Sequence, residues 1–170
     1  MMYKPCIILK IIDSLYDNPD AIPSLLHYIA RDDTVYTGGS GFYPMTADVA
    51  TECFQEVQDI QMQLPDRRLW HLILSFSPIY SLHSILTIAY EVAELFSNDG
   101  YLILYGLHEK NEKLGKRYHI HFAIQAFSYC QDQKVITPIQ MENKISQIEQ
   151  ILVSYYNIPL YIHWEGKEAC

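Results

Sequence analysis

Residues 118–125 form a segment whose two faces carry opposite chemistry. In this stretch, YHIHFAIQ, the large apolar side chains fall on one face of a strand, whereas His119 and His121 fall on the other. Such alternation predicts a strand that packs on a core through its apolar face. Two imidazoles are then presented side by side on the opposite face.

The spacing of apolar residues along the rest of the chain predicts the order β-α-α-β-α-β-β-α-β. The predicted strands are 5–12, 69–77, 101–108, 118–128 and 158–164, and the predicted helices are 21–31, 46–63, 84–97 and about 137–156. Residues 37–44 (TGGSGFYP) predict a loop, because three glycines and a proline disfavour regular structure. The order indicates a single α+β domain over residues 1–170, with a central, mainly antiparallel sheet, flanking helices and one covered face.

Polar residues mark the starts of three of these helices. Asp20 and Thr46 are predicted N-caps, and Thr137 with Gln140 forms a predicted capping box around Pro138. These signals place the helix starts independently of the apolar spacing.

Composition excludes several classes of protein. The chain is 49% hydrophobic and 19% charged, which is typical of a folded domain and not of a disordered one. Its apolar stretches are shorter than the roughly 18 residues that span a bilayer, and no small-residue cleavage site follows the N-terminal apolar run. Four scattered cysteines without a C-x-x-C pair favour reduced thiols. We therefore expect a cytoplasmic protein without a membrane partner.

The net charge of −8 argues at first against a nucleic-acid partner. Residues 11–66, however, hold ten acidic residues and one basic residue, Arg31, whereas the rest of the chain holds ten acidic and eleven basic residues. The acidity therefore belongs to one N-terminal third. This third is a possible contact surface for a basic accessory protein.

A third histidine lies at the end of the neighbouring predicted strand. If the hairpin pairs symmetrically about the predicted loop 109–117, His108 lies opposite Tyr118 and diagonal to His119, and a bulge or twist is needed to bring the imidazoles together. Three neutral imidazoles with open coordination positions suit a divalent metal ion. Gly106 leaves room for a close approach. Of the remaining histidines, His71 is the one that could line the same sheet face.

Four segments between residues 71 and 124 resemble a known family. They are HLILSFSP (71–78), IAYEVAEL (88–95), GYLILYGLH (100–108) and YHIHFAI (118–124). Their succession is similar to the relaxase/mobilisation nuclease domain of plasmids and integrative elements, within the histidine-hydrophobic-histidine (HUH) endonucleases.

The resemblance implies a metal-dependent enzyme that nicks single-stranded DNA at a transfer or replication origin. It implies that His108, His119 and His121 hold Mg²⁺ or Mn²⁺, which polarises the scissile phosphate. It also implies that a tyrosine on an N-terminal helix, best matched by Tyr28, attacks the phosphate. The products are a 5′-phosphotyrosyl link and a free 3′-OH, and the step is reversible.

Other tyrosines and other functions stay open at this point. Tyr36 and Tyr43 lie beside the glycine-rich segment and are alternative nucleophiles. Replication initiators and transposases of the same superfamily place the tyrosine on a later helix, where Tyr155 and Tyr156 lie, although Tyr155 also falls on the apolar stripe of that helix. A non-catalytic HUH-like module that binds DNA or protein, and an unrelated metal-dependent hydrolase, are further alternatives.

The predicted 109–117 loop is cationic. Its residues Lys113, Lys116 and Arg117 are predicted to contact the DNA backbone next to the metal. Lys110 stands where members of the family carry an acidic residue, and this departure keeps the non-catalytic alternative open.

Overall fold

The computed structural model describes residues 5–61, 64–112, 115–130 and 134–165. Its centre is a six-stranded sheet in the order β2-β4-β5-β3-β1-β6, antiparallel throughout except for the parallel pair β1 and β6. The strands are β1 Ile7–Ile12, β2 Tyr36–Ser40, β3 Leu69–Phe76, β4 Ile103–Glu112, β5 Gly115–Gln125 and β6 Leu160–Trp164. The helices are α1 Ala21–Ile29, α2 Ala47–Asp59, α3 Leu82–Ser97 and α4 Pro138–Gln150. The predicted α+β fold class with a mainly antiparallel sheet is confirmed.

Helices cover both faces of the sheet, which corrects the expectation of one covered face. On the histidine face, the last residue of α1, Ile29, lies against Gly106 of β4. Helix α2 follows on the same face, where its Phe54 carbonyl accepts a hydrogen bond from Gln125. Helices α3 and α4 cover the opposite face, and Lys144 of α4 is bonded to the Leu95 carbonyl of α3. The core therefore extends on both sides of β4 and β5, and residues 120–124 of β5 are all nearly or fully buried.

Residues 36–40 form an edge strand, although the glycine-rich segment predicts a loop. This strand pairs with β4, Gly38 opposite Tyr105 and Gly39 opposite Leu104. A Cβ atom on Gly38 would lie 2.4 Å from the Tyr105 ring, and one on Gly39 would lie 2.3 Å from the Ile103 carbonyl oxygen. The glycines are required here because the neighbouring strand lies too close for side chains.

The β4–β5 hairpin is longer than predicted. Residues 109–112 and 115–117 continue the two strands, and the ladder reaches the pair Glu112 and Gly115. The predicted nine-residue loop 109–117 is therefore wrong. Polar residues on exposed strand ends do not differ in composition from a loop, so composition misplaced this boundary.

The helix caps follow the sequence signals in two of three cases. The Thr46 hydroxyl accepts a hydrogen bond from the Val49 amide, and the capping box of Thr137 and Gln140 has both of its bonds. Asp20 precedes α1, but its side chain makes no capping hydrogen bond. Among the residues that the structure describes, no helix combines the length and the apolar character needed to cross a bilayer.

Candidate metal centre and active site

His108 and His119 lie directly opposite each other on β4 and β5. This register differs by one residue from the predicted one, in which His108 faces Tyr118. Directly opposed residues of an antiparallel pair point to the same face, and His121 joins them two residues further along. The three imidazoles therefore share one face without the bulge or twist that the predicted register requires.

The three histidines form a compact group of metal-ligating atoms. One ring nitrogen from each residue lies within 4.8 Å of the other two. His108 and His121 are buried, and His119 is half-buried. Histidine-only sites of three ligands leave coordination positions open for water or a substrate.

Each of the two buried imidazoles uses one ring nitrogen in a hydrogen bond and leaves the other nitrogen without a partner among the described residues. His108 Nε2 donates to the Ile29 carbonyl oxygen over 2.9 Å, and His121 Nδ1 lies 2.9 Å from His71 Nε2. The opposite nitrogens, His108 Nδ1 and His121 Nε2, have no hydrogen-bond partner among the described residues. Buried polar atoms are rarely left unpaired, so these two nitrogens fit a divalent cation.

Burial keeps these imidazoles neutral at physiological pH. It lowers the pKa of His121 to about 2, with neighbouring histidines adding to the effect, and lowers the pKa of His71 to about 4. Burial also lowers the pKa of His108 and of His119. A neutral imidazole has the lone pair that metal coordination requires.

Tyr28 lies over the metal-ligating group. Its ring centroid is 5.2 Å from that of His108 and 5.1 Å from that of His121, and both contacts are edge-to-face. The residue is 42% exposed, so part of it is accessible to a ligand. The Arg31 guanidinium lies 5.1 Å from the centre of the same ring and forms an ion pair with Asp33.

The end of α1 brings Tyr28 to this position. A Cβ atom on Gly106 would lie 2.1 Å from the Ile29 carbonyl oxygen, so the missing side chain lets the helix end rest on the strand. The same carbonyl accepts hydrogen bonds from His108 and from the Thr34 hydroxyl. The sequence predicts a close approach at Gly106, and the group that makes it is the backbone of α1.

An open cleft of about 680 Å³ adjoins the metal-ligating group. It lies over the half of the histidine face that α1 and α2 leave uncovered, where Ile8 of β1 is 46% exposed. Tyr28 forms one wall, and the lining residues of the sheet include Ile73, Ser75 and His119. The cleft therefore connects Tyr28, His119 and His121 with solvent.

The three basic residues that are predicted to contact the DNA backbone differ in their positions. Lys113 lies outside the described residues. Lys116 forms an ion pair with Glu109 over 3.0 Å, and strand alternation places both on the face away from the histidines. Arg117 lines the cleft together with its cross-strand neighbour Lys110.

Among the described residues, Tyr28 is the tyrosine with a predicted role whose ring contacts the clustered histidines. Tyr36 packs against Tyr105 on the opposite face of the sheet, and Tyr43 is 87% exposed. Tyr156 donates a hydrogen bond to Glu91 of α3, also on the opposite face. Tyr155 is 80% exposed, which corrects its expected place on the apolar stripe. A π-helical turn over Ile151–Tyr155 follows α4 and rotates this residue outward.

Two residues next to the three clustered histidines, His71 and Tyr16, are not among the predicted site residues. His71 of β3 bonds His121 through Nε2, and its Nδ1 lies 2.9 Å from the Tyr16 hydroxyl oxygen. Strand alternation had placed His71 on a candidate face, and the register sets it diagonal to His121. Tyr16 lies in a segment without regular structure, so no periodic signal pointed to it.

Comparisons with known proteins bear on the family and the fold of this chain. The family model "Relaxase: MobA/VirD2-like, nuclease domain" matches residues 28–157, a range that contains Tyr28 and all three clustered histidines. A solved structure described as "Molecular Basis of Vancomycin Resistance Transfer in Staphylococcus aureus" shares the fold with a TM-score of 0.52 at 14% identity, over 79% of this chain and 77% of that chain. No curated protein sequence matches. The chain belongs to the MobA/VirD2-like relaxase nuclease domains of the HUH superfamily, and this membership supports a function in DNA relaxation and mobilisation.

Proposed function

We propose that this relaxase domain nicks single-stranded DNA at an origin of a plasmid or mobile element, through a covalent bond to Tyr28. The observation that carries the proposal is the edge-to-face position of Tyr28 above His108 and His121, with centroid distances of 5.2 and 5.1 Å. A nucleophile and a charge-stabilising group must reach the same phosphate, and this arrangement supports that requirement. The proposal includes a cytoplasmic location.

His108, His119 and His121 would hold Mg²⁺ or Mn²⁺, as the two unpartnered buried nitrogens support. When bound, the ion would neutralise charge on the non-bridging oxygens of the scissile phosphate. The His108–Ile29 hydrogen bond fixes His108 in the tautomer with a free Nδ1, because a carbonyl oxygen accepts only. The protein thus directs the lone pair before a ligand arrives.

In the proposed step the Tyr28 oxygen attacks phosphorus. A Tyr28 Oη–P bond forms and the P–O3′ bond breaks. The phenolic proton is lost to solvent, and the leaving 3′ oxygen takes up a proton and becomes a free 3′-OH. The 5′-phosphotyrosyl bond retains the phosphodiester's energy, so attack by a 3′-OH can rejoin the strand.

The acidic N-terminal third would otherwise repel a phosphate at Tyr28. Arg31, the one basic residue in 11–66, lies over the Tyr28 ring at 5.1 Å. Lys110 and Arg117 also line the cleft, and its apolar surface at exposed Ile8 and half-buried Ile73 suits unstacked bases. Three cationic groups therefore lie near the proposed path of the DNA, although Arg31 is also paired with Asp33.

The test is a search for the covalent adduct. Single-stranded oligonucleotides that tile the host element, each labelled at the 3′ end, are incubated with protein and Mn²⁺ and separated on denaturing gels. We expect one oligonucleotide to give a labelled band at the mass of protein plus DNA, because the tyrosine keeps the 5′-phosphate of the downstream fragment. The same oligonucleotide labelled at the 5′ end should release a shorter fragment with a 3′-OH.

The Tyr28→Phe variant should lose the adduct entirely, and Tyr36→Phe serves as the matched control because Tyr36 packs on the other face. Loss of the adduct in Tyr36→Phe but not in Tyr28→Phe would reject Tyr28. DNA binding and metal binding without any adduct across the tiled set would favour a non-catalytic module.

A further inference from the structure

A hydrogen-bonded row of three side chains leads away from the metal-ligating group. The Tyr16 hydroxyl oxygen lies 2.9 Å from His71 Nδ1, and His71 Nε2 lies 2.9 Å from His121 Nδ1. His71 is 7% exposed and His121 is 5% exposed, so water does not readily replace either bond. The row connects three separate parts of the chain: the segment after β1, strand β3 and strand β5.

Two proton arrangements are possible along this row when both imidazoles are neutral. In one, Tyr16 donates to His71, His71 donates to His121 Nδ1, and His121 carries its proton on Nε2. In the other, His121 Nδ1–H donates to His71 Nε2, and His71 Nδ1–H donates to the Tyr16 oxygen. Only the second arrangement leaves a lone pair on His121 Nε2, the buried atom that has no hydrogen-bond partner among the described residues.

Tyr16 is held in its place at a conformational cost. Its φ angle is 52°, in the left-handed region that a residue with a large side chain rarely adopts. The Arg67 guanidinium bonds the Ser14 carbonyl and the Asp13 carboxylate, and lies 4.1 Å from the centre of the Trp70 ring. These contacts tie the segment 13–16 to the beginning of β3, close to His71.

We propose that Tyr16 and His71 are positioning residues for the metal centre, which hold the His121 ring and accept its Nδ1 proton when Nε2 binds the ion. The inference rests on the proposed metal site. Neither residue touches the substrate or the ion in this proposal. Groups that bond the remote nitrogen of a histidine ligand commonly change metal affinity by 10- to 100-fold.

The test compares two replacements of His71. His71→Gln keeps an acceptor near the position of Nε2, whereas His71→Leu removes it at similar volume. Mn²⁺ binding to the whole chain without DNA is measured by the electron paramagnetic resonance signal of free Mn²⁺. We expect His71→Leu and Tyr16→Phe to weaken Mn²⁺ binding, His71→Leu by about 10- to 100-fold, and His71→Gln to remain within about threefold of wild type.

A second measurement does not depend on any variant that folds poorly. Two-dimensional ¹⁵N NMR of the histidine rings in wild-type protein loaded with Mg²⁺ reports which nitrogen of His121 carries the proton. The proposal requires Nδ1–H. A proton on Nε2 in the loaded protein overturns the inference.

The controls separate this inference from the metal site itself. If wild type binds Mn²⁺, His108→Ala does not, and His71→Leu binds like wild type, the positioning role is wrong and the metal site stands. If wild type fails to bind Mn²⁺, both proposals fall. Equal losses in His71→Leu and His71→Gln in folded proteins would also overturn the inference, because the acceptor would then be irrelevant.

Discussion

The Ile29 carbonyl oxygen accepts a hydrogen bond from His108 Nε2 over 2.9 Å, and this bond ties the end of helix α1 to the sheet. It has two effects at once. It holds the helix that carries Tyr28, and it leaves His108 Nδ1 as the nitrogen available to a metal. The proposed nucleophile and a proposed ligand therefore depend on the same contact.

Gly106→Ala should disrupt this contact. The new Cβ atom would lie 2.1 Å from the Ile29 carbonyl oxygen, which is backbone and cannot rotate away. We expect the free energy of unfolding in urea to fall by about 1–3 kcal/mol and the adduct yield to fall with it.

Gly38→Ala is the matched control for this glycine. Its Cβ atom would lie 2.4 Å from the Tyr105 ring on the face away from Tyr28. It should lower stability by a similar amount and leave adduct formation by the folded protein unchanged. An unchanged adduct yield in Gly106→Ala would contradict the role of the α1 contact.

Replacing individual histidines should separate metal affinity from stability. His108→Ala removes a fully buried side chain and its bond to Ile29, so we expect a loss of about 2–4 kcal/mol in addition to the loss of Mn²⁺ binding. His119→Ala removes a half-buried side chain and should lose at least tenfold in Mn²⁺ affinity with less than about 1 kcal/mol of stability. Calorimetric Mn²⁺ titration and urea unfolding measure the two quantities, with exposed His163→Ala as the unaffected control.

That His119 and His121 share one face of a strand could be predicted from sequence, because strand alternation is a local property. So could five of the six strands, whose apolar periodicity is strong. The sixth strand, Tyr36–Ser40, depends on tertiary contacts that the sequence pattern does not show. Gly38 and Gly39 are typical of a loop until the Tyr105 ring and the Ile103 carbonyl are placed beside them.

The site was predictable to a similar degree. His108 could be grouped with the other two histidines, but its predicted partner is wrong by one residue. The predicted loop holds an odd number of residues, whereas the observed ladder, which ends at Glu112 and Gly115, leaves an even number between the strands. A one-residue change of register exchanges the two faces of a strand, so this small error decided whether a bulge was needed. Tyr16 contacts His71 across 55 residues of sequence, and its own backbone is in the left-handed conformation. No local sequence pattern encodes such a contact.

Acid should destabilise the metal-free protein through its buried histidines. Burial lowers the pKa of His71 from an ordinary 6.5 to about 4 in the folded chain. Between these values the unfolded chain binds a proton that the folded chain does not, so stability is fully present above pH 6.5 and falls as the pH drops towards 4. For His71 alone the total is about 3 kcal/mol, and His121, whose pKa falls to about 2, acts in the same direction.

Urea unfolding in EDTA at several pH values between 7.5 and 4.5 measures this effect. His71→Gln removes one of the titrating groups and should lose less stability over this range than wild type. Exposed His83→Gln should follow the wild-type curve. Parallel curves for wild type and His71→Gln would show that His71 is not excluded from protonation in the folded state.

DNA binding should distinguish Arg117 from its sequence neighbour Lys116. Arg117 lines the cleft on the histidine face, whereas Lys116 lies on the other face in an ion pair with Glu109. In the Tyr28→Phe background, which prevents cleavage, Arg117→Gln should weaken binding of the recognised oligonucleotide several-fold.

The salt dependence makes the distinction quantitative. Each lost phosphate contact on single-stranded DNA reduces the slope of log K against log salt concentration by about 0.7. We expect that reduction for Arg117→Gln and no change of slope for Lys116→Gln, both measured by fluorescence anisotropy between low and moderate salt. The reverse result would place the DNA on the opposite face of the hairpin. It would then separate the path of the DNA from Tyr28, because that face points away from the histidines over which the tyrosine lies.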